Sequence, residues 1–292
     1  MPLDSAKTAA VCGATGRQGG AVARHLLARG WQVRALTRNP EQAKARALGE
    51  AGAEVVRADM GDRNALADAF AGADGVFSVQ NPMISGVEAE VAQGRNVAAA
   101  AQAAGVDHLV YGSAGIGEPT GVPSWDSKVA VEGFIRELGL PATILRPMAF
   151  MELMTDKGFY PALAAWSVMP KLMGPETKVP WVAVDDVGAI AAEAFGDPQG
   201  FVGRAVFVAA DVRSLAECRA LWQEVRGRRP RRVPIPVAVF ERLAGRNLTT
   251  MWRWCRSGPV PRDTSATREI HPGALTVREW LESIEGRSDD GG

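Results

Sequence analysis

Cysteine and histidine are scarce in this chain of 292 residues, which has three of each. The cysteines are an odd number, lie far apart and include no CxxC pair, so the sequence predicts neither a disulfide framework nor a thiolate metal site. No histidine has a second histidine or a cysteine at the spacing of metal ligands. We therefore expect reduced thiols, structural or surface histidines and no bound metal.

Long apolar runs are also missing. No stretch of about 18 apolar residues occurs, which disfavours a membrane span. The first segment, MPLDSAKTAA, has no apolar core of signal-peptide length. The sequence thus predicts a cytoplasmic protein without a membrane partner.

Neither sign of charge is in excess. Lysine plus arginine and aspartate plus glutamate both number 33, so no net field draws in nucleic acid or an anionic surface. The run RGRRPRR at 226–232 would suit phosphate or nucleic acid, but with zero net charge a solvated edge leading into a strand is the better interpretation. We expect no nucleic-acid partner.

What the sequence does have is a regular alternation of short apolar segments with amphipathic helical ones. Segments typical of buried strands begin at residues 8, 31, 53, 75, 107 and 141, and helical patterns separate them. Strands alternating with helices of this length pair in parallel through right-handed crossovers. The pattern predicts an α/β fold with a doubly wound parallel (Rossmann) sheet, whose ligand lies at the carboxyl ends of the strands.

The alternation of strand and helix patterns ends after Pro147, where the chain becomes rich in methionine, proline and aromatic residues. The alternation resumes in WVAVDDVGAIAAEAF, where Asp185 or Asp186 is expected to cap a helix. The paired aspartates could instead bind a metal, which is the weaker alternative. The predicted organisation is a dinucleotide-binding Rossmann domain at 1–150 with 180–210 returning to it, a smaller, partly irregular C-terminal substrate lobe at 151–179 and 211–286, and a mobile tail at 287–292.

A glycine-rich loop, CGATGRQGG, follows the first strand and opens into a helix. Gly13 permits a tight turn, Gly16 lets the backbone approach a pyrophosphate, and Gly19 lets helix and strand pack closely. The unpaired N–H groups of the first helical turn then face the anion. Turns also use glycine, but a strand before and a helix after the triplet favour dinucleotide binding.

The end of the second strand bears on the choice of dinucleotide. Enzymes for NAD place an acid there, whereas this chain has Thr37 and Arg38. An acid would repel a 2′-phosphate, and Arg38 would pair with it through charge-assisted hydrogen bonds of about 1.5–3 kcal/mol. Arg17 in the glycine loop could replace or assist it, and a solvated loop arginine is the alternative. We predict NADP(H) rather than NAD(H).

As a set, the motifs GATGRQGG, TRNP, ADMGD, VQNP and RPMAFME, together with the helix that carries Lys128, resemble the NmrA-like family of atypical short-chain dehydrogenases. The resemblance extends through PWVAVDDVG and HPGALTVREWLE, nearly the whole length. It implies cofactor contacts by these residues: Thr15 and Gln18 at the pyrophosphate, Arg38 at the adenosine phosphate, Asp59 and Met60 at the adenine, Asn81 and Ser113 nearer the nicotinamide, Lys128 on its ribose, and Pro147 to Phe150 beside the ring.

The family is itself divided in function. Some relatives are reductases of quinones or plant phenolics, and others are redox-sensing regulators that bind the cofactor without known turnover. Here Leu153 stands where an asparagine usually follows the FME segment. This departure falls on the substrate side.

The helix VPSWDSKVAVEGFI raises the question of a proton donor. In ordinary short-chain reductases a tyrosine four residues before the lysine protonates the carbonyl oxygen, but here that residue is Ser124, whose hydroxyl is too weak an acid. The resemblance to phenolic reductases implies Lys128 as the acid; the alternative is that Lys128 only binds the ribose. A quinone acceptor would need no acid, because water can protonate its reduced form.

Two functions therefore remain open. The first is an NADPH-dependent oxidoreductase that transfers hydride to a small apolar acceptor such as a quinone, enone, imine or carbonyl. The second is a non-catalytic NADP(H) redox sensor that acts through a protein partner. The missing tyrosine favours the sensor, whereas the Met-rich segment and the group around Trp252 and Trp254 favour a substrate pocket, unless they only form core.

Overall fold

The computed structural model describes residues 6–155, 164–232 and 234–286. The chain divides into two compact units, unit 1 (Met1–Arg146 and Val187–Val206) and unit 2 (Pro147–Asp186 and Phe207–Gly292). The predicted tail at 287–292 and the part of the Met-rich segment at 156–163 lie outside the described residues.

The strands fall into two sheets. They are β1 (Thr8–Val11), β2 (Gln32–Thr37), β3 (Glu54–Arg57), β4 (Gly75–Ser78), β5 (His108–Gly112), β6 (Ala142–Pro147), β7 (Ala149–Phe150), β8 (Lys178–Val182), β9 (Ala205–Val208) and β10 (Asp211–Ser214). The larger sheet has seven strands in the order β3-β2-β1-β4-β5-β6-β9. Its pairs from β3 through to β6 are parallel.

Helices connect these strands. The α-helices are α1 (Arg17–Ala28), α2 (Ala43–Glu50), α3 (Arg63–Phe70), α4 (Pro82–Ser85), α5 (Val87–Ala104), α6 (Pro123–Glu137), α7 (Met169–Met173), α8 (Val184–Gly196), α9 (Pro198–Phe201), α10 (Leu215–Arg226), α11 (Val237–Ala244), α12 (Arg246–Ser257), α13 (Ser265–Ile270) and α14 (Val277–Gly286). A 3₁₀ turn spans Met151–Met154 and a π-helical turn spans Ala164–Val168.

The core of unit 1 lies around the central strands. Every residue of β1, β4 and β5 is buried, as expected for parallel strands covered by helices on both faces. α8 packs closely in this unit, since a β-carbon on Gly188 would lie 2.7 Å from Ala21, and the ring of Phe195 lies 5.7 Å from that of His108. The predicted doubly wound architecture is confirmed.

Unit 2 has its own three-stranded sheet and core. The strand order is β10-β8-β7, with β7 parallel and β10 antiparallel to β8. Trp181 and Trp252 are buried in its core, and the ring of Trp252 lies 5.5 Å from that of Phe240. Trp252 is therefore a core residue.

One local prediction needs correction. Among the residues that the structure describes, the arginine run at 226–232 is followed by α11, which begins at Val237, and not by a strand.

The start of α8 is capped by two carboxylates. Asp185 and Asp186 lie in its first turn, and the carboxylate of Asp186 accepts from the backbone N–H of Ala183, the residue preceding the helix, which agrees with the predicted capping role. The N–H of Val184 donates to the carboxylate of Glu152, at 3.1 and 3.2 Å from its two oxygens. The helix start is thus also capped by a side chain distant in sequence.

Candidate cofactor and active site

The glycine loop after β1 is shaped by backbone contacts that side chains would block. Gly13 has a φ of 64°, and its carbonyl accepts a 2.8 Å hydrogen bond from the N–H of Gly16. A β-carbon on Gly19 would lie 2.3 Å from that same carbonyl oxygen. Only glycine at this position allows α1 to start so close to the turn.

The first turn of α1 is open to an anion. Gly16 precedes the helix, no side chain caps its N–H groups, and the first turn contains no acidic residue. The helix dipole and these donors favour a negatively charged group at this end. Oε1 of Gln18 is also buried without a hydrogen-bond partner within the described part of the chain, but as an acceptor it would bind a donor group of a ligand and not a phosphate oxygen. The loop therefore fits the pyrophosphate of a dinucleotide.

The sheet order places this loop at a topological switch point. β1 pairs with β2 on one side and with β4 on the other. Connections on the two sides run in opposite directions, which opens a crevice at the carboxyl ends of the strands. The predicted site residues of unit 1 follow those strand ends: the loop Gly13–Gly19 follows β1, Arg38 follows β2, Asp59 and Met60 follow β3, Asn81 follows β4 and Ser113 follows β5.

The end of β2 contains no acid. Arg38 is exposed and makes no ion pair with any residue that the structure describes. Beside it, Nε2 of Gln42 donates to Oγ1 of Thr37 at 2.8 Å and to Oγ1 of Thr15 at 3.3 Å. Gln42 thus joins the glycine loop to the end of β2, a role that the sequence did not suggest.

The residues after β3 contact the chain after β4. The carbonyl of Met60 accepts from Nδ2 of Asn96 at 3.1 Å, and its sulfur lies 3.5 Å from Nε2 of Gln80. Asp59 is exposed, and its carboxylate accepts from the N–H of Gly61 at 2.7 Å. Asn81 is also exposed and caps α4.

Lys128 is buried in a network of polar groups. Its Nζ donates to the carbonyl of Gln80 at 2.8 Å and lies 2.7 Å from Oε1 of Glu90, which has no exposed surface. The hydroxyl of Ser127 donates to the other carboxylate oxygen of Glu90. The ammonium group of Lys128 is therefore paired with the carboxylate of Glu90 from α5.

Ser113 is held by a second buried carboxylate. Its hydroxyl donates to Oε1 of Glu132 at 2.6 Å, and Nε of Arg146 donates to the same oxygen at 3.0 Å. The guanidinium of Arg146 lies where a β-carbon on Gly117 would be. Because its proton faces Glu132, the Ser113 oxygen is left with lone pairs to accept from a ligand.

No tyrosine replaces the missing donor in the described part of the chain. Tyr111 has no exposed surface, and burial, together with the charges of Glu90 and Glu132, raises its pKa well above the ordinary value. It stays protonated and enclosed in the core. Ser124 lies in the first turn of α6, one turn before Lys128.

Two predicted cofactor residues belong to unit 2. Pro147 ends β6, and Phe150 lies in β7, paired with Val182 of β8. Their role beside the nicotinamide ring stays a prediction. In the residues that the structure describes, no helix is long and apolar enough to cross a membrane, and no three histidine, cysteine or acidic side chains form a metal cluster.

Sequence reasoning missed Glu90 and Glu132, although a signal was present. The buried face of α5 consists otherwise of small or apolar residues, namely Gly94, Val97, Ala98, Ala100 and Ala101. The buried face of α6 likewise combines Lys128 and Glu132 with Trp125, Val131 and Ile135. Charged residues on the core-facing stripe of a helix indicate buried pairing.

The chain matches a known protein family and is similar in sequence to named reductases and oxidoreductases. Residues 5–281 match the model of the NmrA-like family. NmrA-like family domain-containing oxidoreductase FrzB of Cladobotryum sp is 31% identical over an alignment of 253 positions, and the match covers 77% of this chain and 75% of that protein. A (4-alkanoyl-5-oxo-2,5-dihydrofuran-3-yl)methyl phosphate reductase of Streptomyces griseus is 36% identical over 200 residues, 68% of this chain and 66% of that protein.

Solved structures share the fold. NmrA, a negative transcriptional regulator crystallised with NADP, has a TM-score of 0.79 at 24% identity and covers 98% of both chains. Triphenylmethane reductase of Citrobacter sp., crystallised with NADP(H), has a TM-score of 0.78 at 22% identity, covering 95% of this chain and 99% of that one. NADPH-dependent quinone oxidoreductase QOR2 of Escherichia coli, with NADPH, has a TM-score of 0.76 at 23% identity and the same coverage.

Proposed function

This chain belongs to the NmrA-like family, whose members include oxidoreductases, and on that basis we propose that it is an NADP(H)-dependent oxidoreductase acting on a small apolar acceptor. One observation carries the proposal. The open first turn of α1 and the buried ion pair of Lys128 with Glu90 belong to the same unit, and the loops between them follow the carboxyl ends of its strands. These features support a site for the pyrophosphate and a site for the nicotinamide end.

The pyrophosphate would be held by the glycine loop. Gly13, Gly16 and Gly19 leave room for it, and the N–H groups of α1 donate to it. The unpartnered amide oxygen of Gln18 is available to a ligand donor. Thr15 is positioned through Gln42.

The choice of NADP(H) rests on charge. Arg38 is exposed at the end of β2, where a family member for NAD would need an acid. Its guanidinium would bind the 2′-phosphate of the adenosine ribose bidentately, with Arg17 in the loop as an additional cation. Asp59 and Met60 follow the neighbouring strand and would flank the adenine.

The nicotinamide end would be bound by Asn81, Ser113 and Lys128. Bound NADPH supplies a hydride. Lys128 keeps one N–H for a ligand after donating to Gln80 and pairing with Glu90, and Ser113 offers an acceptor oxygen. These residues orient the cofactor and hold a positive charge beside it.

An apolar acceptor that needs no strong acid agrees with this site. Met83 and Ile84, two and three residues after Asn81 in the short helix α4 that follows β4, are exposed, with 45% and 71% of their surfaces accessible. Adjacent exposed apolar side chains at a ligand edge favour an apolar ligand. Quinones, enones, imines and carbonyls are the classes we propose, and relatives named as quinone oxidoreductase and triphenylmethane reductase support them.

A second candidate is a redox sensor that reports NADP(H) binding to a protein partner. The likeness to NmrA, a negative transcriptional regulator, and the absence of a tyrosine four residues before Lys128 favour it. The sensor would bind the cofactor through the same residues and would not turn it over.

NADPH oxidation separates the two candidates. The assay follows absorbance of NADPH with a panel of quinones, enones, imines and aldehydes, and calorimetry gives the NADPH dissociation constant. The proposal predicts tight binding and turnover of at least one electron-poor acceptor. Tight binding with no oxidation above background across the panel would favour the sensor instead.

A further inference from the structure

Glu90 is a fully buried carboxylate on the face of α5 that is otherwise small and apolar. A charge in such a place is costly unless it is paired and hydrogen-bonded. One of its oxygens accepts a hydrogen bond from Ser127 of α6, and the other, Oε1, lies 2.7 Å from Nζ of Lys128 in an ion pair. Neighbouring residues of one helix thus hold the two oxygens of a single carboxylate.

The ammonium of Lys128 is correspondingly constrained. One of its three N–H donors reaches the carbonyl of Gln80 at 2.8 Å, and the ammonium forms an ion pair with Glu90. The ring of Tyr111 lies 5.8 Å from Nζ on a further side. The bond to Gln80 and the pairing with Glu90 together restrict the directions in which the remaining donors can point.

We propose that Glu90 is the positioning residue for Lys128: it fixes the ammonium so that its remaining donor meets the ligand. This inference rests on the proposed function. Glu90 acts through Lys128 and touches no ligand itself, and Ser127 prevents its carboxylate from rotating away. A lysine side chain has four rotatable bonds, so without this pairing its donor would occupy many positions.

A merely structural Glu90, needed only to join α5 to α6, is the competing account. The control for it is Val131→Ala, because Val131 is buried in the same helix interface against Gly94 and is itself uncharged. This variant loosens the interface without changing the ion pair.

The experiment combines a spectroscopic and a kinetic measurement on the full chain. Proton–nitrogen correlation spectra of lysine ammonium groups report whether Lys128 is held, since a buried, bonded ammonium exchanges slowly with water. Lys128→Met assigns the signal. We expect the wild type and Val131→Ala to show it, and Glu90→Gln to lose it.

At limiting NADPH, Glu90→Gln should lower kcat/KM for NADPH by about ten- to a hundredfold, the scale of one lost charged hydrogen bond to the cofactor. The double variant Glu90→Gln, Lys128→Met should be no worse than Lys128→Met alone, because the glutamate acts only through the lysine. Val131→Ala should lose thermal stability and keep kcat/KM within about threefold of the wild type.

The inference is overturned if Glu90→Gln keeps the ammonium signal and the kcat/KM of the wild type, or if its losses match those of Val131→Ala. It is also overturned if the two substitutions are additive. Failure of the wild type to bind NADPH is a different outcome, which removes the proposed function and this inference with it.

Discussion

A β-carbon on Gly19 would lie 2.3 Å from the carbonyl oxygen of Gly13, a distance that nonbonded atoms do not reach without displacement. The two glycines are therefore in direct backbone contact across the turn between β1 and α1. This contact brings the first turn of α1 close to the end of β1, where a pyrophosphate would bind.

Gly19→Ala should accordingly weaken NADPH binding at least about tenfold, because the helix start must move away from the strand. Gly133→Ala is the matched control, since Gly133 lies inside α6 and a β-carbon there would meet nothing within 4 Å. Calorimetric titration of both variants tests this. Unchanged NADPH affinity in a folded Gly19→Ala variant would contradict the assignment of the loop.

Arg38 should determine the preference for the phosphorylated cofactor. We expect NADPH to bind at least about tenfold more tightly than NADH, and Arg38→Ala to reduce that ratio because the 2′-phosphate loses its guanidinium. Lys44→Ala removes a nearby exposed positive charge from α2 and should leave the ratio unchanged. Equal affinities for both cofactors in the wild type would refute the prediction.

Lys128→Ala should act mainly on cofactor binding. Transfer of the ammonium proton would leave Glu90 as an uncompensated buried charge, so a hydrogen bond to the ribose is the better-supported role. We expect NADPH affinity to fall by roughly 1.5–3 kcal/mol, with quinone turnover at saturating NADPH nearly intact. A loss of roughly 10²–10⁴-fold in carbonyl turnover at unchanged affinity would instead identify Lys128 as the acid.

The α/β alternation, and with it the large sheet, was predictable because buried parallel strands and amphipathic helices differ in period. The family indicated by the motifs is confirmed by the match over residues 5–281. The second sheet was not predictable in the same way. β7 has only two residues, and the five residues of β8 include a proline, which argues against a strand in a sequence pattern.

Contacts between side chains that are far apart in the sequence were the other part of the structure that could not be predicted. Glu90 and Lys128 are 38 positions apart, as their numbers show, and only the packing of α5 on α6 brings them together. Glu152 similarly reaches Val184 only in the folded chain. In contrast, the glycine loop was predictable because the hydrogen bonds that shape its turn, from Gly16 to Gly13 and from Gly20 to Gly16, join residues close in sequence.

Glu152 gives a pH-dependent prediction for stability. Burial raises the pKa of its carboxyl from 4.5 to about 7, with Asp186 and Asp185 adding to the rise and hydrogen bonds from backbone N–H groups opposing it. The folded protein then holds a proton that the unfolded chain releases, so this group's contribution to stability is lost as pH rises from about 4.5 to about 7.

Glu152→Gln cannot ionise. Relative to the wild type, its free energy of unfolding should therefore increase by roughly 2–3 kcal/mol between about pH 5 and about pH 8. Urea unfolding at both pH values measures the difference. Parallel pH dependence in the two proteins would show that Glu152 titrates normally.

Hydride transfer is the central claim, and isotopic labelling tests it most directly. The protein is incubated with an aldehyde, imine or enone from the panel, whose reduced carbon retains the label, and with NADPH deuterated at one or the other face of C4, and the product is analysed by mass spectrometry. We predict that the reduced acceptor gains one deuterium from one of the two labelled cofactors and none from the other. Tight binding of NADPH, with no deuterium in any product from either cofactor, would contradict the account.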